Sequence, residues 1–394
     1  MLVVVAPGQG AQSPGFLAPW LDDPVFAERL HWLSVVSGLD LAHYGTEADA
    51  ETIRDTAVAQ PLLVASGLLA ALAVFPHPAD AFGQVGAVAG HSVGEITAAV
   101  GARVITAEQA MVLVRERGRA MAAAAARTET GMTAVLGGDR DEVLAKLAKH
   151  GLTPANDNGP GQVVAAGTIE QLAALHNDAP ARARLASLPV AGAFHTEHMG
   201  SAVDTLARLA RSVSTHDPRT ALLSNRDGQV VHDGQEVLRR LVTQVRHPVR
   251  WDLCMQTMRD LGVTGLLEMP PAGTLTGIAK RVLDGVHTFA LKTPDRLDDA
   301  RMFVDKHGTA SLLDTTPTWR LLVAPAKGTF HKSERLDEGT WLPVGANVGA
   351  VHSLRDALQV LAPHGGSIVE WLVEDGDLVS PGQPLVRLHP EATP

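Results

Sequence analysis

The sequence contains little cysteine and little charge, and each shortage excludes a class of protein. Cys254 is the only cysteine in 394 residues, so an intrachain disulfide and any metal site built from several cysteines are excluded. Its neighbours in residues 251–254 form a helical pattern, which favours a buried packing role for Cys254. Charged residues make up only 19% of the chain and are mixed in sign, which is not typical of disorder or of a coiled coil. We therefore predict a globular protein without a bound metal.

An excess of positive charge is missing as well. The formal net charge is -10, whereas nucleic acids and anionic membranes bind basic surfaces. We therefore predict neither a nucleic acid nor a membrane as a partner. The apolar residues 1–5 lack a cationic flank and are too few for a signal peptide, and no apolar run is expected to reach the roughly 20 residues that span a bilayer. The sequence thus predicts a cytoplasmic protein.

Short apolar runs bounded by glycine alternate with longer Ala/Leu-rich segments over most of the chain. This alternation predicts an α/β fold in which helices connect parallel strands. The candidate core strands are residues 2–6, 85–89, 221–224 and 264–268. Between them lies a different pattern: strand 132–136, helix 141–150, strand 162–166, helix 169–176 and strand 185–190. That order predicts a small ferredoxin-like insert.

The composition changes again after about residue 305. A linker-like stretch leads into a Val/Gly/Pro-rich segment in which VAPAKGTF (residues 323–330) is repeated as LAPHGGSI (residues 361–368). Two copies of a short β unit, neither able to bury its apolar face alone, predict a pseudo-symmetric β sandwich. The predicted domains are residues 1–304, with a large core (1–127 and 193–304) and the insert (128–192), then a linker (305–318) and a C-terminal domain (319–390).

The motif GHSVG at residues 90–94 follows a strand pattern and precedes a helix pattern. On such a sharp strand-to-helix turn the serine hydroxyl projects outward, and the next backbone amide points toward a developing oxyanion. We therefore predict that Ser92 is a nucleophile and that Val93 supplies an oxyanion donor. A serine needs a base to accept its proton. Among the 17 histidines, His195 is distinguished because an apolar run ends at it, where the chain returns from the insert.

Several motifs resemble the malonyl-CoA:acyl carrier protein transacylases of bacterial fatty acid synthesis, especially the actinobacterial members. The resemblance covers residues 1 to about 293. Its motifs are PGQGAQ (7–12), GHSVGE (90–95), VRERGRAM (114–121), NDNGPGQVV (156–164), AFHT (193–196), SN (224–225), and Gln244 with PVRW (248–251). The resemblance implies a hydrolase-like parallel-sheet core that carries the ferredoxin-like insert.

The resemblance also implies a role for each matched residue. Ser92 would be the nucleophile and His195 its general base and acid. Gln244 would orient His195 through a carbonyl, in place of an acidic residue, and Gln9 would border the oxyanion hole. The cleft would be lined by Asn156, Asn158 and Phe194.

Arg117 is the residue that would select a malonyl donor. Its planar guanidinium can hold a free carboxylate by two parallel hydrogen bonds. The spacing of Arg115, Arg117 and Arg119 on one helix by itself favours solvated arginines, and only the resemblance assigns Arg117 to the substrate. The implied reaction transfers malonyl from malonyl-CoA to the phosphopantetheine thiol of an acyl carrier protein through a malonyl-Ser92 ester, for fatty acid or polyketide synthesis.

Residues 319–389 resemble biotinyl and lipoyl carrier domains, with GDLVSPGQPL (376–385) as the best stretch. In that family a lysine on the hairpin between the two repeats is modified. The corresponding residues 351–361 contain no lysine, and Arg355 lies near the expected place. We therefore predict an unmodified domain, without biotin or lipoate, that serves docking, dimerisation or cleft shaping.

Two other functions are alternatives to malonyl transfer. An acyl hydrolase that clears carriers with water would share Ser92 and His195 but would not need Arg117. A non-catalytic scaffold would be expected to have lost Ser92 or His195. Neither alternative requires a permanently bound cofactor, and nor does the transfer, because the phosphopantetheine belongs to the partner.

Overall fold

The chain forms two compact units, residues 1–313 and residues 314–394. The computed structural model describes residues 1–190, 192–310, 320–333, 336–353, 356–363 and 365–389. The boundary lies inside the predicted linker, although residues 305–307 still belong to the last helix of the first unit. Residues 311–318 of the predicted linker lie outside the described residues, and so does Arg355 of the C-terminal prediction.

The first unit contains eleven strands and thirteen α-helices among the described residues. The strands are β1 (Leu2–Ala6), β2 (Ala87–Gly90), β3 (Thr130–Gly137), β4 (Thr153–Asp157), β5 (Gln162–Thr168), β6 (Ala183–Ser187), β7 (Ala221–Leu223), β8 (Val230–Val231), β9 (Val249–Arg250), β10 (Gly265–Glu268) and β11 (His287–Ala290). The helices are α1 (Pro24–Ser37), α2 (Leu41–Thr46), α3 (Thr56–Val74), α4 (Pro78–Gln84), α5 (Gly94–Gly101), α6 (Ala107–Ala125), α7 (Arg140–Lys149), α8 (Ile169–Asn177), α9 (Gly200–Ala210), α10 (Gly234–Thr243), α11 (Trp251–Asp260), α12 (Thr274–Val282) and α13 (Leu297–His307).

The core of this unit is a six-stranded sheet in the order β11-β10-β1-β2-β7-β8. The neighbours from β11 to β7 are parallel, and β8 pairs with β7 in antiparallel fashion. The α/β class is thus confirmed, with a mixed sheet. All four predicted core strands are present, and β8 and β11 were missed because their sequences, VV and HTFA, form no apolar run. Buried parallel strands such as LVVVA in β1 are apolar on both faces because helices cover both sides.

A second sheet has the order β6-β3-β5-β4-β9. Its first four strands and helices α7 and α8 follow the order βαββαβ and pair antiparallel, which is the ferredoxin-like arrangement. The sequence predicted three strands; the fourth, β4, was missed because its residues TPAND are mostly polar. The last strand ends at residue 187 and not at 190. The core contributes β9, which pairs in parallel with β4.

Helix α3 corrects the prediction that no apolar stretch is long enough to span a membrane. The helix has 19 residues, and its most apolar 18-residue window has a mean hydropathy of 2.0, which meets that length and composition. However, 72% of the apolar window is buried within the protein, where α3 packs against α1, α5 and α6. A helix that is apolar on all sides suits a core as well as a bilayer, and this burial identifies α3 as a core helix.

The second unit is an all-β structure of eight strands among its described residues. They are β12 (Arg320–Val323), β13 (Gly328–Lys332), β14 (Trp341–Leu342), β15 (Asn347–His352), β16 (Ala357–Leu361), β17 (Gly366–Trp371), β18 (Leu378–Val379) and β19 (Pro384–His389). They form two four-stranded sheets, β12-β19-β17-β14 and β16-β15-β13-β18. When β12, β13, β14 and β15 are exchanged with β16, β17, β18 and β19, respectively, the order of one sheet becomes the order of the other. The internal repeat in the sequence therefore corresponds to a pseudo-twofold sandwich, with its own apolar core around Phe330.

Candidate active site

Ser92 lies on a tight turn between β2 and α5. Its φ of 53° is in the left-handed region, which costs energy for a non-glycine residue and is found at functional sites. The flanking glycines are required because the backbone is crowded. A Cβ on Gly90 would lie 1.9 Å from the carbonyl carbon of Gly94, and a Cβ on Gly94 would lie 2.2 Å from the Ala6 carbonyl oxygen. The predicted strand-turn-helix context of Ser92 is thus confirmed.

His195 meets Ser92 across 103 residues of sequence. Its Nε2 lies 2.7 Å from the Ser92 Oγ, and its Nδ1 lies 2.9 Å from the backbone carbonyl oxygen of Gln244. Because a carbonyl can only accept, Nδ1 carries the proton and Nε2 is left to accept one. The carbonyl predicted to orient His195 is therefore the main-chain carbonyl of Gln244, and its side-chain amide is used elsewhere.

The Gln244 side chain connects three groups of the site. Its Nε2 donates to the Ser92 carbonyl oxygen at 3.0 Å and to the Glu95 carboxylate. Its Oε1 accepts a hydrogen bond of 2.8 Å from Arg117 Nη2. Gln244 thus fixes the turn that carries the nucleophile and one edge of the guanidinium.

Arg117, on α6, is only 1% exposed, which rejects the interpretation of Arg117 as a solvated arginine. Its Nη1 donates to Gln60 Oε1 at 2.7 Å, and its Nη2 donates to Ser92 Oγ at 3.3 Å as well as to Gln244. A guanidinium has five N–H groups, so two remain, and Nε has no hydrogen-bond partner in the described part of the chain. A buried cation with free N–H groups beside Ser92 is suited to bind a carboxylate.

Burial also shifts the acid–base properties of the site. Burial, reinforced by the nearby Arg117 charge, lowers the pKa of His195 to about 3, so the imidazole is neutral and can accept a proton at physiological pH. Burial raises the pKa of the Glu95 carboxyl to about 7. Burial likewise lowers the pKa of Arg117 to about 10, an effect that the Glu95 charge opposes. Arg117 therefore remains a cation.

The predicted oxyanion residues lie at the carboxyl ends of neighbouring strands. Gln9 follows β1 and Val93 follows β2, and a Cβ on Gly8 would lie 2.9 Å from the His91 carbonyl oxygen, so the two loops touch. In the described structure neither the Gln9 nor the Val93 backbone amide donates to a protein acceptor. The Gln9 side-chain Nε2 donates to the Arg54 carbonyl oxygen at 3.0 Å. Both backbone amides can therefore donate to a substrate oxygen.

The insert reaches the site through one of the predicted cleft residues, Asn158. Asn158 is buried, and its Oδ1 lies 2.9 Å from His91 Nε2, next to Ser92. The Oδ1 of Asn156 is buried and has no hydrogen-bond partner among described residues. Phe194 is buried and precedes His195 directly. These contacts place the Asn158 end of the insert against the turn that carries Ser92.

Sequence reasoning assigned no role to three residues that hold the site together. Asn225 accepts a 2.8 Å hydrogen bond from the Ser92 backbone amide and donates one of 2.7 Å to the Gly90 carbonyl oxygen. Glu95 contacts both Asn225 and Gln244. Asn225 and Glu95 stand in motifs that the resemblance uses, so a signal was present. Gln60 had only the weaker signal of a polar residue within an apolar helix.

In the described ranges no cluster of three or more His, Cys, Asp or Glu side chains has a geometry that could hold a metal ion. Cys254 is buried, and its thiol lies 3.4 Å from the Ser224 carbonyl oxygen. The predicted packing role of Cys254 agrees with this position.

Comparison with known proteins gives consistent matches to the first unit. Malonyl CoA-acyl carrier protein transacylase of Mycobacterium tuberculosis (strain ATCC 25618 / H37Rv) is 50% identical over 299 residues, which are 76% of this chain and 99% of the relative. The relative of the same name from Escherichia coli (strain K12) is 33% identical over 303 residues, 74% of this chain and 96% of the relative.

Solved structures match over the same part of the chain. The crystal structure of MCAT from Mycobacterium tuberculosis aligns with a TM-score of 0.74 and 50% identity, covering 76% of this chain and 99% of that one. A type II PKS acyl-carrier protein in complex with its malonyl-transacylase aligns with a TM-score of 0.70 and 29% identity, with the same coverage. Residues 3–297 match the acyl transferase domain family. This chain therefore belongs to the acyl transferase domain family.

Proposed function

We propose that Ser92 carries a malonyl group from malonyl-CoA to the phosphopantetheine thiol of an acyl carrier protein, with His195 as general base and acid. The chain is a malonyl-CoA:acyl carrier protein transacylase, as its family and its 50% identity to a relative of that name support. One observation carries the assignment of the site: Ser92 Oγ lies 2.7 Å from a neutral imidazole and 3.3 Å from a buried guanidinium.

The first half-reaction begins when His195 Nε2 takes the Ser92 proton. The Oγ attacks the thioester carbonyl, and the oxyanion that develops accepts hydrogen bonds from the backbone amides of Val93 and Gln9. Removal of one such donor typically costs about 3 kcal/mol of transition-state stabilisation. The C–S bond then breaks, and His195 returns the proton to the leaving thiolate of coenzyme A.

The second half-reaction repeats these steps with a different thiol. The phosphopantetheine thiol of the carrier gives its proton to His195 and attacks the malonyl-Ser92 ester, and the serine leaves with the proton. The two substrates therefore use the site in turn, which gives ping-pong kinetics. Asn156, Asn158 and Phe194 line the cleft in this proposal, and the burial of Asn158, of Phe194 and of the Asn156 Oδ1 supports a site that excludes competing water.

The selection of malonyl rests on Arg117. The unused N–H groups of its buried guanidinium can bind the free carboxylate of the donor, which an acetyl group lacks. Hydrogen bonds to a charged group contribute about 1.5–3 kcal/mol each, so one such bond already favours malonyl by roughly 10-fold or more. A hydrolase of simple acyl groups would have no use for this cation, which favours transfer over the hydrolase alternative.

Radiolabelled malonyl-CoA tests this proposal directly. After incubation and acid quench, the label is expected on the peptide that contains Ser92, and addition of holo acyl carrier protein should move it to the carrier. Absence of label, or label that persists in Ser92→Ala, would refute the mechanism. Rapid loss of label to water without a carrier would instead indicate the hydrolase.

For the second unit we propose a biotinyl/lipoyl-like domain that is not modified and serves docking, dimerisation or cleft shaping. The pseudo-twofold exchange of its two sheets supports this relationship. The two repeats are joined by the segment between β15 and β16, and its residues 353–356 contain no lysine to be acylated. An intact mass equal to that of the bare chain is expected, whereas an added mass of biotin or lipoate would refute the proposal.

We also propose that the protein works in the cytoplasm, where acyl carrier proteins and coenzyme A thioesters meet. The burial of α3 within the first unit supports this placement, because its apolar surface is already covered by protein. Fractionation of cells that express the chain should recover it with the soluble proteins. Recovery in the membrane fraction after a high-salt wash would contradict it.

A further inference from the structure

The buried carboxylate of Glu95 contacts the site without a role in the reaction described above. Glu95 is 3% exposed and forms no ion pair within the described residues. Its Oε1 accepts a 2.9 Å hydrogen bond from the Asn225 backbone amide, and its Oε2 accepts one from Gln244 Nε2. A carboxylate buried in this way is costly, so its retention beside the nucleophile requires an explanation.

The contact with Glu95 determines, together with the Ser92 carbonyl oxygen, which way the Gln244 amide points. A carboxylate only accepts hydrogen bonds, so the Gln244 Nε2 must face Glu95 and its Oε1 must face the other way. On that other side lies Arg117 Nη2, which only donates and lies 2.8 Å from Oε1. The amide therefore satisfies an anion on one side and a cation on the other, and the reverse orientation would place like groups together at both ends.

We propose that Glu95 is a positioning residue for malonyl selection: its carboxylate fixes the Gln244 amide so that Gln244 Oε1 holds the Arg117 guanidinium beside Ser92. This inference rests on the proposed malonyl transfer and adds a residue to its specificity. Glu95 touches neither the substrate nor Ser92 Oγ in this scheme. It acts on the donor carboxylate through Gln244 and Arg117 alone.

The isosteric change Glu95→Gln tests the orientation directly. One carboxylate oxygen becomes an NH2 group. If the remaining oxygen keeps the Asn225 backbone amide, the new NH2 group faces the Gln244 Nε2, and two donors oppose each other. Rotation of the Gln244 amide relieves that conflict but turns Nε2 toward Arg117, which is also a donor. Without rotation the Gln244 amide loses its anchor at residue 95, and with rotation it opposes Arg117, so in either case Gln244 no longer holds the guanidinium in a fixed position.

Protonation of Glu95 in the native protein has the same consequence as Glu95→Gln, because a neutral carboxyl has one donor and one acceptor oxygen. Burial raises the pKa of Glu95 to about 7. The ionisable groups that face it come from α6, α10, α11 and two loops: Arg117, Arg240, Cys254, Arg226 and His247. Arg117 and Arg240 stay charged, burial raises the pKa of Cys254, and burial lowers the pKa of His247. Glu95 is thus the group among them that changes charge near neutral pH.

The experiment measures the donor ratio, defined as kcat/KM for malonyl-CoA divided by kcat/KM for acetyl-CoA, with holo acyl carrier protein as acceptor. The full-length wild type, Glu95→Gln and Glu268→Gln are compared across neutral pH. Glu268 is the matched control: it is also a fully buried carboxylate, but it accepts hydrogen bonds from the backbone amides of Gly273, Leu275 and Thr276.

We expect Glu95→Gln to lower the donor ratio by about 10-fold or more, the effect of one lost hydrogen bond to a charged group. In the wild type the ratio should rise with pH as Glu95 ionises, and in Glu95→Gln it should not depend on pH. Glu268→Gln should keep the wild-type ratio even if its melting temperature falls.

Equal losses with both donors in Glu95→Gln would show a merely structural role and overturn the proposal. If Glu95→Gln does not fold, the wild type decides, because a ratio that is constant with pH also overturns it. A wild type that transfers no malonyl at all would instead refute the proposed function itself, and this inference with it.

Discussion

Replacement of Arg117 by alanine separates donor selection from the rest of the reaction. The guanidinium is 1% exposed and holds Gln60 Oε1, Gln244 Oε1 and Ser92 Oγ. The change removes the cation that we assign to the malonyl carboxylate. Ser92, His195 and the oxyanion amides all remain. Malonyl transfer should therefore collapse while acetyl transfer persists.

The size of the effect follows from the hydrogen bonds that are lost. A bond to a charged group contributes about 1.5–3 kcal/mol, which corresponds to roughly 10- to 150-fold in kcat/KM for malonyl-CoA. The same change leaves the Gln60 and Gln244 acceptors unpaired, at a cost of about 1–3 kcal/mol each in stability. A lower melting temperature is therefore expected together with the kinetic loss. Only the comparison of malonyl-CoA with acetyl-CoA separates the loss of malonyl selection from the loss of stability.

The assay compares kcat/KM for malonyl-CoA and acetyl-CoA with one carrier protein, at a temperature where both proteins are folded. Arg117→Lys is the companion variant, because lysine keeps the charge but lacks the planar fork. It should retain an intermediate preference for malonyl. Equal losses on both donors in Arg117→Ala would refute the assignment, because the arginine would then support the fold or Ser92 alone.

Three further changes have defined outcomes. With acetyl-CoA as donor, the rate of Ser92 acylation should not fall as pH drops through about 6.5, the ordinary pKa of histidine. The reason is that His195, with a pKa lowered to about 3, stays neutral there; a rapid-quench profile with an acidic limb near 6.5 would contradict it. Asn225→Ala removes the 2.8 Å hydrogen bond to the Ser92 backbone amide; acylation should slow with both donors and the donor ratio should stay unchanged. A chain that ends at residue 313 should keep malonyl transfer, because 76% of this chain covers 99% of the M. tuberculosis relative. Loss of Ser92 labelling in a folded truncated chain would contradict this expectation and show that the second unit contributes to the site.

Short-range signals made the position of the nucleophile predictable. The crowding that requires Gly90 comes from Gly94 itself, within five residues of sequence, so the motif signals the turn, although Gly94 is also required by the distant Ala6 carbonyl oxygen. The repeat in the second unit could also be predicted from the sequence, because the two copies share one apolar pattern. Strands β4 and β9 of the second sheet could not be predicted, because their side chains are mostly polar or too few for a period to appear.

The sequence by itself determined the α/β class, the Ser92 turn and, through matched motifs, the residues of the site. Only the tertiary structure decided how those residues act on one another. The backbone carbonyl of Gln244 orients His195, and its side chain instead joins Arg117 to Glu95. These contacts join residues that are 49, 127 and 149 positions apart in the sequence. Hydrogen-bond direction and burial depend on such distant neighbours, and no local pattern of residues records them.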